Sequence, residues 1–154
     1  MSYRVIPIST ELVNEVRQTL VSPQFKSLAA NVSVANGYGP CRSCLKIFEQ
    51  GRDRRIYFTY NSFEGRSTLP DPGPVFIHEH ACAAFDGPGF PPDLLGLPVL
   101  IEAFAGESLL ILRQPVDAGS VDHQIASVFS DETVKFINLR NAEAGCFIAR
   151  VERT

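Results

Sequence analysis

The chain has 154 residues, of which 45% are hydrophobic and 20% are charged, and this composition is typical of one globular domain with a substantial core. Its formal net charge of -3 leaves no excess of cations for phosphates, so we expect neither nucleic acid nor an anionic membrane as a partner. We find no apolar run of bilayer length and no signal-peptide core. We therefore predict a single domain over residues 1–154. We expect the protein to be cytoplasmic, and its composition is compatible with a homo-oligomer.

The first half of the chain is predicted to contain short strands and one helix. Residues 3–8 have a strand pattern, and Ser9 or Thr10 caps a helix that ends before Pro23. The apolar residues of this helix recur at helical spacing: Leu12, Val13, Val16 and Leu20. Further strand patterns occur at 32–34, 55–60 and 75–79, and turn-rich segments at 36–40 and 65–74 separate them.

The second half is predicted to be richer in hairpins. Strand patterns at 98–105 and 109–116 flank a short turn, and patterns at 134–140 and 146–152 flank another. Between the two pairs, a helix begins after Ser120, with Val121, Ile125, Val128 and Phe129 as its apolar stripe. Because hairpins outnumber strand–helix–strand units, the predicted fold class is α+β: a largely antiparallel sheet that can be strongly curled, with two helices packed on one side.

The four cysteines are the residues with the greatest potential for chemistry. Cys41 and Cys44 form a Cys-x-x-Cys pair, Cys82 follows a His-Glu-His segment, and Cys146 lies near the C-terminus. Four cysteines are too few for a disulfide scaffold, so in a reducing compartment they would be thiols, metal ligands or transient redox partners. A thioredoxin-like site is disfavoured because a Gly/Pro-rich loop, and no strand–helix–strand unit, surrounds the pair.

Zinc is the candidate cofactor for this set of side chains. In an extended segment, His78, His80 and Cys82 would point to one side, with about 6.6 Å between the Cα atoms of successive members. Cys41, Cys44, Cys82 and one of the two histidines would supply a Cys3His site, and the predicted metal ligands are Cys41, Cys44, His78 and Cys82. The interval from Cys44 to His78 is longer than in zinc fingers, so only tertiary folding can join the two halves.

A thiol-dependent enzyme is the first alternative. Arg42 lies beside Cys41, and a neighbouring cation favours the thiolate, while His78 or His80 would act as the base. The predicted catalytic residues are therefore Cys41, Arg42 and His78. In the second alternative the chain is a non-catalytic interaction module with buried, inert cysteines, and Cys146 packs in the core. The sequence leaves open whether the chain is an enzyme.

A second polar constellation lies near the C-terminal turn. Arg140, Asn141 and Arg150 have the donors that bind a carboxylate or phosphate, and they are the predicted anion-binding residues for an unknown small-molecule ligand, with Arg153 and Arg42 as additions. The competing interpretation is a solvated strand edge with ion pairs to Glu143 or Glu152.

Three motifs in this order resemble the bacterial family of domain of unknown function 1203. They are Pro40-Cys41-Arg42-Ser43-Cys44-Leu45, then Gly73 to His78 with Cys82 four residues on, and Arg140-Asn141 followed by Gly145-Cys146-Phe147 and Arg150 to Arg153. The resemblance covers nearly the whole chain and implies no particular reaction. It implies that motif positions are occupied by Cys41, Arg42, Cys44, His78, Cys82, Asn141, Cys146 and Arg150. His80 matches no motif position, which favours His78 as the ligand. Some members lack the second cysteine of the pair, so the resemblance does not require a four-ligand site.

Overall fold

The structure is a computed structural model that describes residues 2–63 and 73–154. Most of the loop predicted at 65–74 lies outside the described residues. In chain order the elements are β1 (Tyr3–Ile6), α1 (Thr10–Thr19), β2 (Asn31–Val34), β3 (Arg54–Tyr60), β4 (Gly73–His78), a 3-10 helix (Pro92–Gly96), β5 (Val99–Ala105), β6 (Leu109–Pro115), α2 (Val121–Phe129), β7 (Val134–Asn141) and β8 (Phe147–Arg153).

The chain divides into two compact units. The first comprises Met1–Ile6 and Phe85–Thr154, and the second comprises Pro7–Ala84. Each unit has its own antiparallel sheet and one α-helix. The predicted α+β class is confirmed, and the strands form a five-stranded and a three-stranded sheet.

In the first unit the five strands are ordered β1-β8-β7-β5-β6. The predicted hairpin between β5 and β6 is present, with a bulge that shifts the register between Ala103 and Phe104. The predicted apolar stripe of α2 is buried, from Val121 to Phe129. Ser120 occupies the N-cap position of α2. Its hydroxyl donates a hydrogen bond to the Asp117 carboxylate and accepts none from the backbone N–H groups of the helix.

In the second unit the three strands are ordered β2-β3-β4, and α1 precedes them in the chain. Ser9 caps α1 as predicted, because its side chain accepts a hydrogen bond from the Leu12 N–H at 3.3 Å. The helix buries Val13 and Val16 and ends at Leu20, whose φ of 52° is left-handed. Among the described helices, none has the length and apolar character needed to cross a membrane.

Candidate metal centre

The Cys41–Cys44 segment is folded into a compact, buried turn. The Leu45 N–H donates to the Cys41 carbonyl at 2.9 Å, and the Cys41 N–H donates to the Lys46 carbonyl at 3.0 Å. Leu45 has a φ of 58°, a conformation that costs a non-glycine residue roughly 1–2 kcal/mol. Its side chain is only 1% exposed, and this burial offsets the backbone cost. The turn thus directs two cysteine side chains into the interior of the second unit.

The residues before the turn pack closely against Phe48. Gly39 has a φ of 94°, and a Cβ at this position would lie 2.5 Å from Cδ2 of Phe48. The Phe48 ring in turn contacts the His78 ring edge-on, with 4.7 Å between centroids. Gly39 therefore allows an aromatic ring to support both the cysteine turn and the histidine.

Replacing Gly39 with alanine is expected to destabilise the protein by about 2 kcal/mol or more, because the left-handed backbone and the overlap with Phe48 both oppose a Cβ. Chemical denaturation measures this change in the free energy of unfolding. Gly51→Ala is the matched control, since Gly51 has a φ of 79° but no atom within 4 Å of the added Cβ. Equal losses in the two variants would show that the contact with Phe48 contributes nothing.

Two hydrogen bonds with backbone N–H donors join the cysteine turn to the end of β4. The Arg42 N–H donates to the Phe76 carbonyl at 2.9 Å, and the His78 N–H donates to Sγ of Cys41 at 3.4 Å. β4 ends at His78, and the chain bends at Glu79 and His80 before it reaches Cys82. The assumption of an extended segment from 78 to 82 was therefore wrong, and the bend brings Cys82 to the other ligands.

Four potential ligand atoms converge in the second unit. One atom each from Cys41, Cys44, His78 and Cys82 lies within 4.8 Å of all the others. Sγ of Cys41 is 3.9 Å from Sγ of Cys82, and Sγ of Cys44 is 3.5 Å from Nδ1 of His78. Tetrahedral zinc with bonds of about 2.3 Å to sulfur and about 2.05 Å to nitrogen requires edges of about 3.8 Å and about 3.6 Å. Both separations match, whereas a disulfide would need about 2.05 Å.

Two further residues hold the ligands in place. Oδ2 of Asp53 lies 3.4 Å from Nε2 of His78, so a proton on Nε2 leaves the Nδ1 lone pair facing the sulfurs. Nη2 of Arg17 donates to Sγ of Cys82 at 3.3 Å, and its Nε donates to the His78 carbonyl at 3.1 Å. The cluster therefore has a carboxylate behind its histidine and a guanidinium beside one sulfur.

Contacts within the cluster shift the pKa values of Cys44, His78 and Cys82. Hydrogen bonds from Cys41 and Cys44, with those of His78 and Arg17, hold the pKa of Cys82 well below its usual range. Hydrogen bonds to the other two sulfurs, together with burial, raise the pKa of Cys44. Hydrogen bonds to the Cys41 and Cys82 sulfurs raise the pKa of His78 to about 10. The lowered pKa of Cys82 and the raised pKa of His78 together favour a thiolate beside an imidazolium.

His80 lies beside the cluster rather than in it. Its ring centroid is 4.6 Å from that of His78, and it is not among the four convergent residues. The preference for His78 over His80 agrees with this placement.

The residues predicted to be catalytic are deeply buried. Cys41 is 0% exposed, and Arg42 is 2% exposed with Nη1 donating to the Pro40 carbonyl at 2.5 Å. Nδ1 of the His78 imidazole lies 3.5 Å from Sγ of Cys44. A catalytic role for Cys41, Arg42 and His78 stays a prediction.

The predicted anion-binding residues lie in the first unit and have partners within it. Arg140 donates from Nε to the Glu102 carboxylate and from Nη1 to the Gly145 carbonyl. Oδ1 of Asn141 accepts the N–H groups of Glu143 and Ala144, both at 2.9 Å, and so closes the turn between β7 and β8. Anion binding by Arg140, Asn141 and Arg150 stays a prediction.

Arg150 has two described contacts of its own. Its guanidinium lies 4.2 Å from the centroid of the Phe136 ring, and Nη1 is 3.9 Å from the Glu152 carboxylate. Glu152 was predicted from the sequence as a partner of these arginines, but Glu102 was not. Glu102 is 3% exposed and also accepts a hydrogen bond from Arg113. The sequence does contain a signal for Glu102, because it is an isolated acidic residue in the apolar strand pattern of β5.

The location of Cys146 differs from the predicted one. It lies at intermediate exposure in the turn before β8, which begins at the buried Phe147, and its Sγ is 3.9 Å from the Ala144 carbonyl. The prediction that Cys146 packs in the core was wrong, because the turn ends one residue later than expected. Cys146 therefore serves as a control thiol that is not a member of the cluster.

Arg17 and Asp53 were not predicted as site residues from the sequence. Arg17 lies in the last turn of α1, and Asp53 stands between two arginines just before β3. Neither position carries a motif, and each meets its cluster partner only through tertiary contacts across 25 to 65 positions of sequence.

The fold and the site define an α+β protein with a buried cluster of three cysteines and one histidine. The model of the family described as "Protein of unknown function (DUF1203)" matches residues 38–153, about three quarters of the 154 residues, and the chain belongs to this family. The matched segment includes all four cluster residues, whereas Arg17 precedes it. No curated protein and no solved structure matches the chain.

Proposed function

We propose that this protein binds one zinc ion through Cys41, Cys44, His78 and Cys82, and that the ion has a structural role. The observation that supports this proposal most directly is the convergence of the four ligand atoms within 4.8 Å of one another. Their two individual separations, 3.9 Å and 3.5 Å, equal the edges of a zinc tetrahedron to within about 0.1 Å.

The types of ligand favour zinc over the other common metal ions. Thiolates and imidazole are soft or borderline donors that suit zinc, whereas magnesium and calcium prefer oxygen. Four protein ligands complete the coordination of zinc and leave no position for a substrate, which is typical of a structural site.

The ion would connect parts of the second unit that are distant in sequence. Cys41 and Cys44 belong to the turn after β2, His78 ends β4, and Cys82 lies in the irregular segment that follows. Bonds to one ion would hold these segments together, so that the free energy of metal binding also stabilises the fold.

Charged side chains surround the proposed centre on two sides. Three thiolates and a neutral imidazole around a divalent ion leave one net negative charge. Arg17 donates to the Cys82 sulfur and supplies a positive charge at 3.3 Å. Asp53 orients His78 from the opposite side of the ring.

Elemental analysis of protein purified without a histidine tag tests the proposal. We expect about one zinc per chain. Substitution by cobalt should give the thiolate-to-metal charge-transfer bands and the intense visible bands of a tetrahedral, sulfur-rich site. A zinc content near zero, with all four thiols freely titratable in the folded protein, would contradict it.

Asp53 should contribute to zinc affinity through His78. Replacing Asp53 with asparagine removes the carboxylate that accepts from Nε2, and we expect zinc affinity to fall by about 10- to 100-fold. Competition with a chelator of known affinity measures the change. Glu49→Gln is the matched control, because Glu49 pairs with Arg52 at the surface. Equal affinities of the Asp53 variant and the wild type would refute this role.

A further inference from the structure

The three cluster sulfurs differ in their access to solvent. Cys41 is 0% exposed and Cys44 is 6% exposed, whereas Cys82 has intermediate exposure. Cys82 also lies in a segment without helix or strand, two residues before Ala84, where the second unit ends. A small oxidant that approaches the cluster would therefore meet the sulfur of Cys82 first.

The neighbours of Cys82 suit a reactive sulfur. Nη2 of Arg17 donates to its Sγ at 3.3 Å and would stabilise negative charge on it. Sγ of Cys41 lies 3.9 Å from the Cys82 sulfur, so an approach of about 1.9 Å would bring the pair to the bond length of a disulfide. A partly exposed sulfur with a cation and a second thiol close by has the arrangement of a reversible redox pair.

We propose that Cys82 is an oxidation site for hydrogen peroxide, and that it then forms a disulfide with Cys41 and releases the metal. The release of metal rests on the proposed zinc site. The oxidation of Cys41 and Cys82 does not rest on the zinc site, because the only protein groups it requires are the two sulfurs.

The reaction proceeds in two balanced steps. The Cys82 thiolate attacks one peroxide oxygen, the O–O bond breaks, and sulfenic acid and hydroxide form. The Cys41 thiolate then attacks the Cys82 sulfur, the S–S bond forms, and a second hydroxide leaves. The two sulfurs lose two electrons, peroxide gains two, and the two hydroxides take up two protons to become water. Zinc would lose two of its four ligands, and Cys44 and His78 alone would hold it weakly.

Cys41 is the assigned partner because of its position. Its sulfur lies opposite that of Cys82, while the Cys44 sulfur faces Nδ1 of His78 at 3.5 Å. The His78 N–H that donates to Cys41 keeps this sulfur at the end of β4, close to the segment that carries Cys82. The competing product is a Cys41–Cys44 disulfide within the turn.

Peroxide treatment of the full chain, with and without bound zinc, tests the inference. In the metal-free protein, alkylation and peptide mass spectrometry should show Cys41–Cys82 as the principal disulfide. In the zinc-loaded protein, a chromophoric chelator should detect one zinc released per disulfide formed, and a dithiol reductant with added zinc should restore the starting state. Cys146→Ser should behave like the wild type, since Cys146 is outside the cluster.

The possible failures can be told apart. A principal Cys41–Cys44 product, or Cys82 oxidised while Cys41 stays a free thiol, overturns the assignment of the pair. If the purified protein holds no zinc but the Cys41–Cys82 disulfide forms, the redox pair stands and the proposed zinc site falls. If the disulfide forms only in the metal-free protein and the zinc-loaded protein keeps its metal, release by oxidation is refuted.

Arg17 provides a second measurement that does not remove a ligand. Arg17→Gln should form the disulfide about tenfold more slowly, because Cys82 loses its cationic neighbour. Arg52→Gln is the matched control, since Arg52 pairs with the exposed Glu49. Equal rates for the Arg17 variant and the wild type would overturn the activating role of Arg17.

Discussion

Replacing Cys44 with serine is expected to lower the affinity for zinc by at least about a hundredfold, the largest single effect that the site predicts. A hydroxyl does not replace a thiolate as a zinc ligand at neutral pH, and the other three ligands would leave one coordination position to water. Because Cys44 is only 6% exposed, its sulfur is also too well enclosed for another side chain to take its place without rearrangement. Chelator competition measures the affinity, and thermal unfolding should show a matching loss of zinc-dependent stability.

The matched control is Cys146→Ser, which makes the same chemical change at a cysteine outside the cluster. We expect its zinc content and affinity to equal those of the wild type. A Cys44 variant that binds zinc as tightly as the Cys146 variant would exclude Cys44 as a ligand.

The second large effect is the dependence of zinc affinity on pH. The pKa of His78 is raised to about 10 in the metal-free protein, so its imidazole is protonated at neutral pH and must lose this proton to bind zinc. The raised pKa of Cys44 adds a second proton that metal must displace. Zinc affinity should therefore rise with pH, by at least about tenfold per unit between roughly pH 6 and 8.

The sign of this dependence follows from the direction of both shifts. Protons compete with zinc at low pH, and competition from His78 ends only as the pH passes about 10. Calorimetry in buffers of different ionisation enthalpy should show that protons are released as zinc binds. Affinity that is constant or falls with pH would contradict the assignment of His78 and Cys44 as ligands.

Local patterns predicted most of the secondary structure correctly. The helical spacing of Val121, Ile125 and Phe129 corresponds to the buried side of α2, and Ser9 caps α1 as its residue type suggests. These features depend on neighbours within a few positions, so they can be read from adjacent residues. The end of β4 could not be predicted from adjacent residues, because the bend at Glu79 and His80 lies within a sequence that also fits an extended strand.

The candidate ligands could be predicted because few residue types bind soft metals. Cys41, Cys44, His78 and Cys82 were recognisable by chemistry, but their convergence was not, since 34 positions separate Cys44 from His78. Arg17 and Asp53 belong to common surface residue types, and nothing in their local sequence distinguishes them from other charged residues.

By itself, the sequence determined the residue types of a candidate metal site, the two amphipathic helices and the hairpins of an α+β fold. The tertiary structure decided that three sulfurs and one imidazole meet within 4.8 Å, and that Arg17 and Asp53 flank them. It also decided that Arg140 meets the buried Glu102 and that Cys146 lies in a turn outside the cluster. The physical reason is one of range: helix periodicity and capping act over a few residues, whereas a four-ligand site requires the chain to return to the same point from distant positions.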